Sequence, residues 1–459
     1  MSAVRRLPVV KDLTLVTAGA MTANVAGYLL QLLASRWLGT GGYSTFASLL
    51  AVQMLCAVPA LALQNVVARE VVRDAPIAAA RALTLRCAGL VAAAALMLTP
   101  LVSLVLHVSI AASAGALCTA PTLVLLAGEQ GILQGRSRFR ELATVLGGAA
   151  VIRVTPAVTL LAGGFGSAPA LWAGAAGAAV AALIARRTAD AAVAPRTGFG
   201  VIGRGDSTSG RSDFASDRTG AAAAEGISPR PASVGPVFEA AGTAFRTEAT
   251  ALGVAAVFRA VQVQAALTAL STADLLVSRI VLDENDAGRY ALGAIAAKIA
   301  FWLPQAVGVV LYPRMAQPQH SARAMRSALA VLAGIGAVTV AGAAVAAPLA
   351  PMFAGPDYTP IEGLLWLFAL EGALLAVLQA VLLSAIATDR TAPAAITWIG
   401  LGIGVTVMLT RAHTVLSLIT VATVTAAATT LVITGVAWRA TREGTDAPSP
   451  VPELGADGT

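Results

Sequence analysis

Runs of about twenty consecutive apolar residues constrain this chain more than any other feature of it. They recur near 13–34, 44–63, 82–106, 109–127, 142–162, 168–185, 252–281, 290–313, 328–353, 361–387, 393–410 and 414–437. A helix needs about 20 residues to cross a hydrocarbon core ~30 Å thick, and only helices and closed barrels satisfy their backbone groups there. The third and fourth runs are separated by little more than His107, but 82–127 is twice the length of one span. An all-α polytopic membrane protein with about twelve transmembrane helices is therefore expected. Composition agrees, with 12% charged residues against about 25% in ordinary soluble domains. The first run follows Arg5, Arg6 and Lys11. It is longer than the roughly 7–15 apolar residues of a signal peptide and reads as a retained helix.

Loop charge sets the orientation. With the amino terminus inside, the inner segments carry 24 basic residues and the outer ones only Arg36, Arg289 and Arg411. The positive-inside rule expects this asymmetry, and a missed span would scramble it. Both termini are thus expected on the cytoplasmic side, and the net charge of +7 reflects orientation and not nucleic-acid binding. Only Lys11 and Lys298 accompany 29 arginines, a usage that suggests a GC-rich bacterial source and hence the cytoplasmic membrane of a bacterium.

Residues 186–249 interrupt the pattern with nine Gly, four Pro, eight Arg and seven acidic residues. Such a stretch is too polar to bury a core and reads as a disordered cytoplasmic linker tolerant of shortening. It divides the chain into an amino-terminal six-helix lobe (1–185) and a carboxy-terminal one (250–437), followed by a cytoplasmic tail (438–459).

The two lobes share landmarks. Leu32-Leu33-Ala34-Ser35-Arg36 and Gly42-Tyr43 are followed by Pro59 and Arg69; Leu275-Leu276-Val277-Ser278-Arg279 and Gly288-Arg289-Tyr290 are followed by Pro304 and Arg314. Proline to arginine is 10 residues in both copies, and tyrosine to proline is 16 in one and 14 in the other. Internal repeats are a common transporter construction. The repeat predicts that Arg36 and Arg279 lie at the same face of the membrane. It also predicts that Pro59 and Pro304 mark a shared hinge, since a membrane-helix proline frees a carbonyl and weakens the helix.

Several charges fall inside spans. Arg153 and Lys298 lie roughly 12–17 Å deep at 1.5 Å per residue, and Glu371 is as deep. Asp274 lies in the outer third of the seventh span, Arg259 two turns into it, and Arg279 near its outer end as Arg36 is near that of the first. Snorkelling is the simple account of Arg36, Arg279 and Arg259. Arg153 and Lys298 are too deep for it. Intramembrane ionisable groups usually face a cavity or one another, so Arg153 and Lys298 are expected either to hold an anionic substrate between the lobes or to pair with Glu371. Asp274 and Glu371 are coupling-ion or counter-ion candidates.

Other chemistries lack their residues. No phosphate-binding loop, catalytic grouping or cofactor motif is recognisable. Cys56, Cys87 and Cys118 lie in apolar runs, and His107, His320 and His413 are scattered, so neither a metal site nor a disulfide framework is expected. Asp283-Glu284-Asn285-Asp286 lacks the alternation of a calcium loop and reads as a solvated turn. The chain is read as a transporter and not an enzyme.

Ser35-Arg36-Trp37-Leu38-Gly39 with Gly42-Tyr43 and Phe46 resembles the first hairpin of the polysaccharide transporters, the Wzx-type oligosaccharide-lipid flippases. Asp274-Leu275-Leu276, Gly288-Arg289-Tyr290 and Tyr312-Pro313-Arg314-Met315 resemble the seventh and eighth helices of the same family. Ser44 departs from the family's usual glycine, and the linker is unusually long. That family belongs to the superfamily that holds the MATE exporters and the lipid II flippase. The resemblance implies two facing six-helix lobes that open alternately to each side. The cargo it implies is a polyprenyl-diphosphate-linked oligosaccharide, with Arg153, Lys298, Arg36, Arg279 and Arg259 as cavity cations. It further implies an H+ or Na+ coupling ion, the bilayer as medium, and polysaccharide polymerase or glycosyltransferase partners. The alternative is a cation-coupled MATE-like exporter of small organic molecules, centred on Asp274 and Glu371.

Overall fold

The structure, a computed structural model, describes residues 6–193, 254–315, 321–386 and 392–443, with side chains described over 14–192, 261–262, 264–303, 330–382 and 395–436. Most of the linker, the end of the tail and the Arg259 and Pro304 side chains lie outside the described residues. The fold is 92% helical, with no strand among the described residues.

The first half comprises α1 (Arg6–Cys56), α2 (Val58–Val72), α3 (Ile77–Val105), α4 (Ile110–Gly135), α5 (Phe139–Ala162) and α6 (Ser167–Val193). The second comprises α7 (Val254–Leu270), α8 (Ala273–Val281), α9 (Glu284–Met315), α10 (Ser321–Ala346), α11 (Leu349–Ala354), a 3₁₀ turn (Pro356–Leu364), α12 (Leu365–Ile386), α13 (Ala392–Arg411) and α14 (Val415–Glu443). Seven helical stretches among the described residues are long and apolar enough to cross a membrane, and Ala330–Ala346 and Ala395–Arg411 are shorter apolar helices. The longest stretch, Thr14–Val72, has 59 residues and holds two of the expected spans.

That stretch cannot be one straight rod. The 51 residues of α1 would measure about 77 Å at 1.5 Å each, far more than a bilayer core. Gly39 breaks it, with φ 66° and ψ −179°, a backbone region open essentially to glycine alone. A second interruption falls at Ala57, and Pro59 occupies the first turn of α2, where its missing N–H costs nothing. At Pro304 the helix α9 continues from Glu284 to Met315. Neighbouring groups in a membrane bundle can re-satisfy the carbonyl that a proline frees.

The sixth helix also differs from expectation. It runs to Val193, past the predicted linker boundary at 185. Ala189 is buried, the Arg138 guanidinium donates to the Ala192 carbonyl (3.3 Å), and Asp190 meets Arg81 at 2.6 Å. The same Arg81 makes two 2.9 Å bonds to Glu129, so one arginine ties α3, α4 and α6 together. Those partners are distant in sequence, which is why composition alone ends the helix too early.

A single apolar core runs through both halves, from Leu30, Tyr43, Phe46 and Leu49 to Tyr290, Ile361, Phe368 and Leu418. Two smaller clusters fill each half separately, around Leu63, Val67 and Leu133 in the first and Leu267, Leu378 and Val381 in the second.

Candidate functional site

The site begins at a break in the seventh span. Ser271 and Thr272 separate α7 from α8, and both hydroxyls donate back to the Thr268 carbonyl, at 3.0 and 2.7 Å. Such back-bonding satisfies a carbonyl that the interruption would leave bare in an apolar setting. The short α8 then carries Asp274 in its first turn and Arg279 in its last, the ends the helix dipole favours for each charge.

Asp274 is buried, and its Oδ2 accepts a 2.7 Å hydrogen bond from the Tyr290 hydroxyl. Its Oδ1 is buried with no hydrogen-bond partner. Tyr290 is fully buried on α9 and meets Phe368 of α12 edge to face, with ring centroids 4.9 Å apart. Glu371 lies three residues beyond Phe368, on the same face of α12. It too is buried, and its Oε2 has no hydrogen-bond partner. A glycine makes this approach possible: a Cβ at Gly372 would stand 1.9 Å from the Ala297 carbonyl oxygen. Residue 297 precedes Lys298, so the contact that seats α12 on α9 lies next to both Glu371 and Lys298 in the chain.

Asp274, Lys298 and Glu371 line one cavity with Thr272, Trp302 and Met54, the last contributed by the first half. The cavity has a volume of ≈ 20 Å³. That admits a water molecule or a small bare cation. Tyr28 of α1 reaches across to donate to the Lys298 carbonyl (3.3 Å). The cavity therefore lies where the halves meet, although its ionisable groups all come from the second. Fully ionised, two carboxylates and one ammonium carry a net charge of −1, which one monovalent cation would cancel. An uncompensated charge so deep is costly.

The other expected site residues are placed elsewhere. Arg153 sits on α5 and does not line this cavity. Arg153 and Lys298 do not share this cavity; Lys298 shares it with the two carboxylates. Arg36 is exposed, and its Nη1 donates to the Met352 and Phe353 carbonyls, both at 3.3 Å. Arg279 is buried and does not snorkel. It donates from Nε to the Leu106 carbonyl (3.1 Å), from Nη1 to Ser44 Oγ (2.8 Å) and from Nη2 to Glu284 (2.9 Å). The two arginines lie at the same end of the bundle, as the repeat predicts, because Thr40 beside the Gly39 break hydrogen-bonds Asn285 beside Glu284. Pro59 stands at the start of α2, while the Arg259 and Pro304 side chains lie outside the described residues.

Sequence reading missed Tyr290, Phe368 and Met54 as parts of the site. Tyr290 stood out only as a repeat landmark; nothing in its own neighbourhood pointed to Asp274 sixteen residues away. Among the described residues no group of three or more His, Cys, Asp or Glu side chains could hold a metal ion.

No protein-family model matches the chain, and no curated protein matches it. Solved structures do. An inward-facing multidrug-resistance MATE transporter of the MOP superfamily superposes with a TM-score of 0.58 at 12% identity, over 93% of this chain and 96% of its own. A mutant of the Vibrio cholerae MATE transporter VcmN gives 0.55 at 15% identity, over 95% and 98%. The eukaryotic MATE transporter AtDTX14 gives 0.52 at 13%, over 95% and 99%. The chain has the MATE fold over nearly its whole length.

Proposed function

We propose that this protein is an alternating-access membrane exporter driven by a monovalent cation, and that the cation acts at the Asp274–Glu371–Lys298 cavity. One observation carries the reading: two buried carboxylates, each with an oxygen lacking a hydrogen-bond partner, share a cavity of water-molecule size at the meeting of the two halves. Buried ionisable groups in membrane spans mark ion and proton pathways more often than they mark packing. The MATE fold supports the same reading, since the solved structures that share it are transporters. The loop-charge asymmetry supports placing the Gly39 end outside and the termini inside the cytoplasmic membrane.

A second reading concerns the cargo. The likeness of Ser35-Arg36-Trp37-Leu38-Gly39 and Gly288-Arg289-Tyr290 to the Wzx-type transporters favours a polyprenyl-diphosphate-linked oligosaccharide over a small organic molecule. On that reading Arg153 is the remaining deep cation for a diphosphate, for which a planar guanidinium offers a two-point fork. The test uses everted membrane vesicles under an imposed H+ or Na+ gradient, with a fluorescent organic cation and a short polyprenyl-diphosphate glycan as alternative cargoes. Wild-type protein should move one of them only with a gradient, and Glu371→Gln should cut that movement about tenfold or more. Gradient-dependent transport surviving in Glu371→Gln would reject the cavity as the coupling site. Loss of glycan movement in Arg153→Ala, with retention in Arg153→Lys, would support the lipid-linked cargo.

A further inference from the structure

The interactions of Arg36 and Arg279 are reciprocal. Arg36, at the end of the first span, reaches the carbonyls of Met352 and Phe353, in the short α11 that closes the ninth run. Arg279, at the end of the seventh, reaches the carbonyl of Leu106, the residue that caps the third. First and seventh, third and ninth are the spans the repeat relates, so each half holds the other through the same arginine and the same kind of acceptor. The acceptors are helix-terminal carbonyls, which lack helical partners and attract cations. Around them the halves are sealed. Tyr358 donates to the Ser35 carbonyl (3.3 Å), Tyr43 stacks edge to face on Tyr358 at 6.5 Å, and a Cβ at Gly288 would stand 2.0 Å from the Thr40 carbonyl oxygen.

The two clasps are unequal. Arg279 is buried and makes two bonds to the first half, with a third to Glu284 of its own half, whereas Arg36 is exposed and holds two 3.3 Å contacts. The stronger clasp is also the one joined to the cavity. Arg279 and Asp274 stand at opposite ends of α8, nine residues or about 13 Å long, which the break at Ser271–Thr272 detaches from α7. Asp274 moors one end of that rod to Tyr290; Arg279 moors the other to the first half. A change at Asp274 that loosens its bond to Tyr290 frees the rod to turn, and the guanidinium cannot keep three acceptors in place when its helix shifts.

We infer that Arg36 and Arg279 form a paired clasp closing the Gly39 mouth, and that α8 transmits the occupancy of the Asp274 cavity to it. The coupling half of this inference rests on the proposed cation site; the clasp does not. For an inside-negative cell this would make release of the mouth conditional on the cation, as obligatory exchange requires.

The experiment measures the mouth directly, without transport. Spin labels replace His107 and His413, exposed residues at that end of the two halves, in full-length protein whose Cys56, Cys87 and Cys118 are changed to Ala. Distance distributions are recorded in lipid nanodiscs by pulsed dipolar spectroscopy, and a monodisperse elution profile is required of every variant. Wild-type protein should give a predominantly short distance. Arg36→Gln with Arg279→Gln should raise the long-distance population at least tenfold, since the loss of even one charge-assisted hydrogen bond has about that effect. Ser44→Ala, which removes one acceptor and threatens folding least, should raise it by a smaller factor. Asp274→Asn, with both arginines intact, should move it in the same direction. An unchanged distance in the double variant and in Ser44→Ala overturns the clasp; an unchanged distance in Asp274→Asn alone overturns the link through α8. Because the readout needs neither cargo nor gradient, a failed cargo assignment would leave these outcomes standing.

Discussion

The two halves repeat each other in backbone and part company in charge. Aligned on Leu32 and Leu275, Gln31 of the first half stands where the second has Asp274. Gln31 is buried and turns its amide back to the Gly27 carbonyl (3.4 Å). Aligned on the tyrosines, Ala51 stands where the second half has Lys298. Tyr43 and Tyr290 are both fully buried, but the Tyr290 hydroxyl has a carboxylate to bond and the Tyr43 hydroxyl has no partner. The duplicated arginines still make reciprocal contacts. Symmetry is thus kept in the contacts that close one mouth and lost in the cavity. This is what a two-lobed machine requires if both lobes must rock but one ion must decide when.

The comparison can be broken by making the halves alike. Gln31→Glu would place a carboxylate at the buried position aligned with Asp274, with no ammonium at position 51. We expect the folded yield to fall, with a cost of roughly 2–4 kcal/mol for a buried uncompensated charge. Full yield and an unshifted melting temperature would mean that the first half already has the polar support that only the second displays.

The tyrosines give a sharper and smaller contrast. Tyr290→Phe leaves both Asp274 oxygens without the hydroxyl and should cost about 1–3 kcal/mol. Tyr43→Phe removes a buried hydroxyl that bonds nothing and should be neutral or slightly stabilising, within about 0.5 kcal/mol. Melting temperatures of the two variants in the same detergent settle the order, and equal losses would show that the Tyr43 hydroxyl is satisfied after all.

The smallest expected effect tests packing. Gly27 faces open space in the first half, whereas the aligned Leu270 of the second is buried in the core of its own half. Gly27→Ala should therefore stabilise by about 0.5–1 kcal/mol through helix propensity. Gly372→Ala, forced onto the Ala297 carbonyl, should destabilise by about 1–3 kcal/mol. A stabilising Gly372→Ala would mean that α9 and α12 are less closely seated than the contact implies.

The sequence by itself determined the solvent and the element type. Apolar runs of about twenty residues are the length of membrane helices, and the kink at Gly39 is a local consequence of a single residue. It also singled out Asp274, Lys298, Glu371, Arg36 and Arg279, because a charge in an apolar run is visible without any structure. Which of those charges meet was decided only by tertiary packing. Lys298 joins the carboxylates and not Arg153 because Gly372 lets α12 sit on α9 two hundred residues downstream of α5. Arg279 turns from an expected snorkelling residue into a buried clasp because the carbonyl of Leu106, 173 residues away, ends its helix beside it. Insertion cost depends on one residue and its depth, so it can be read along the chain. Partnership depends on the spacing between helices, set by side chains that no linear window contains together.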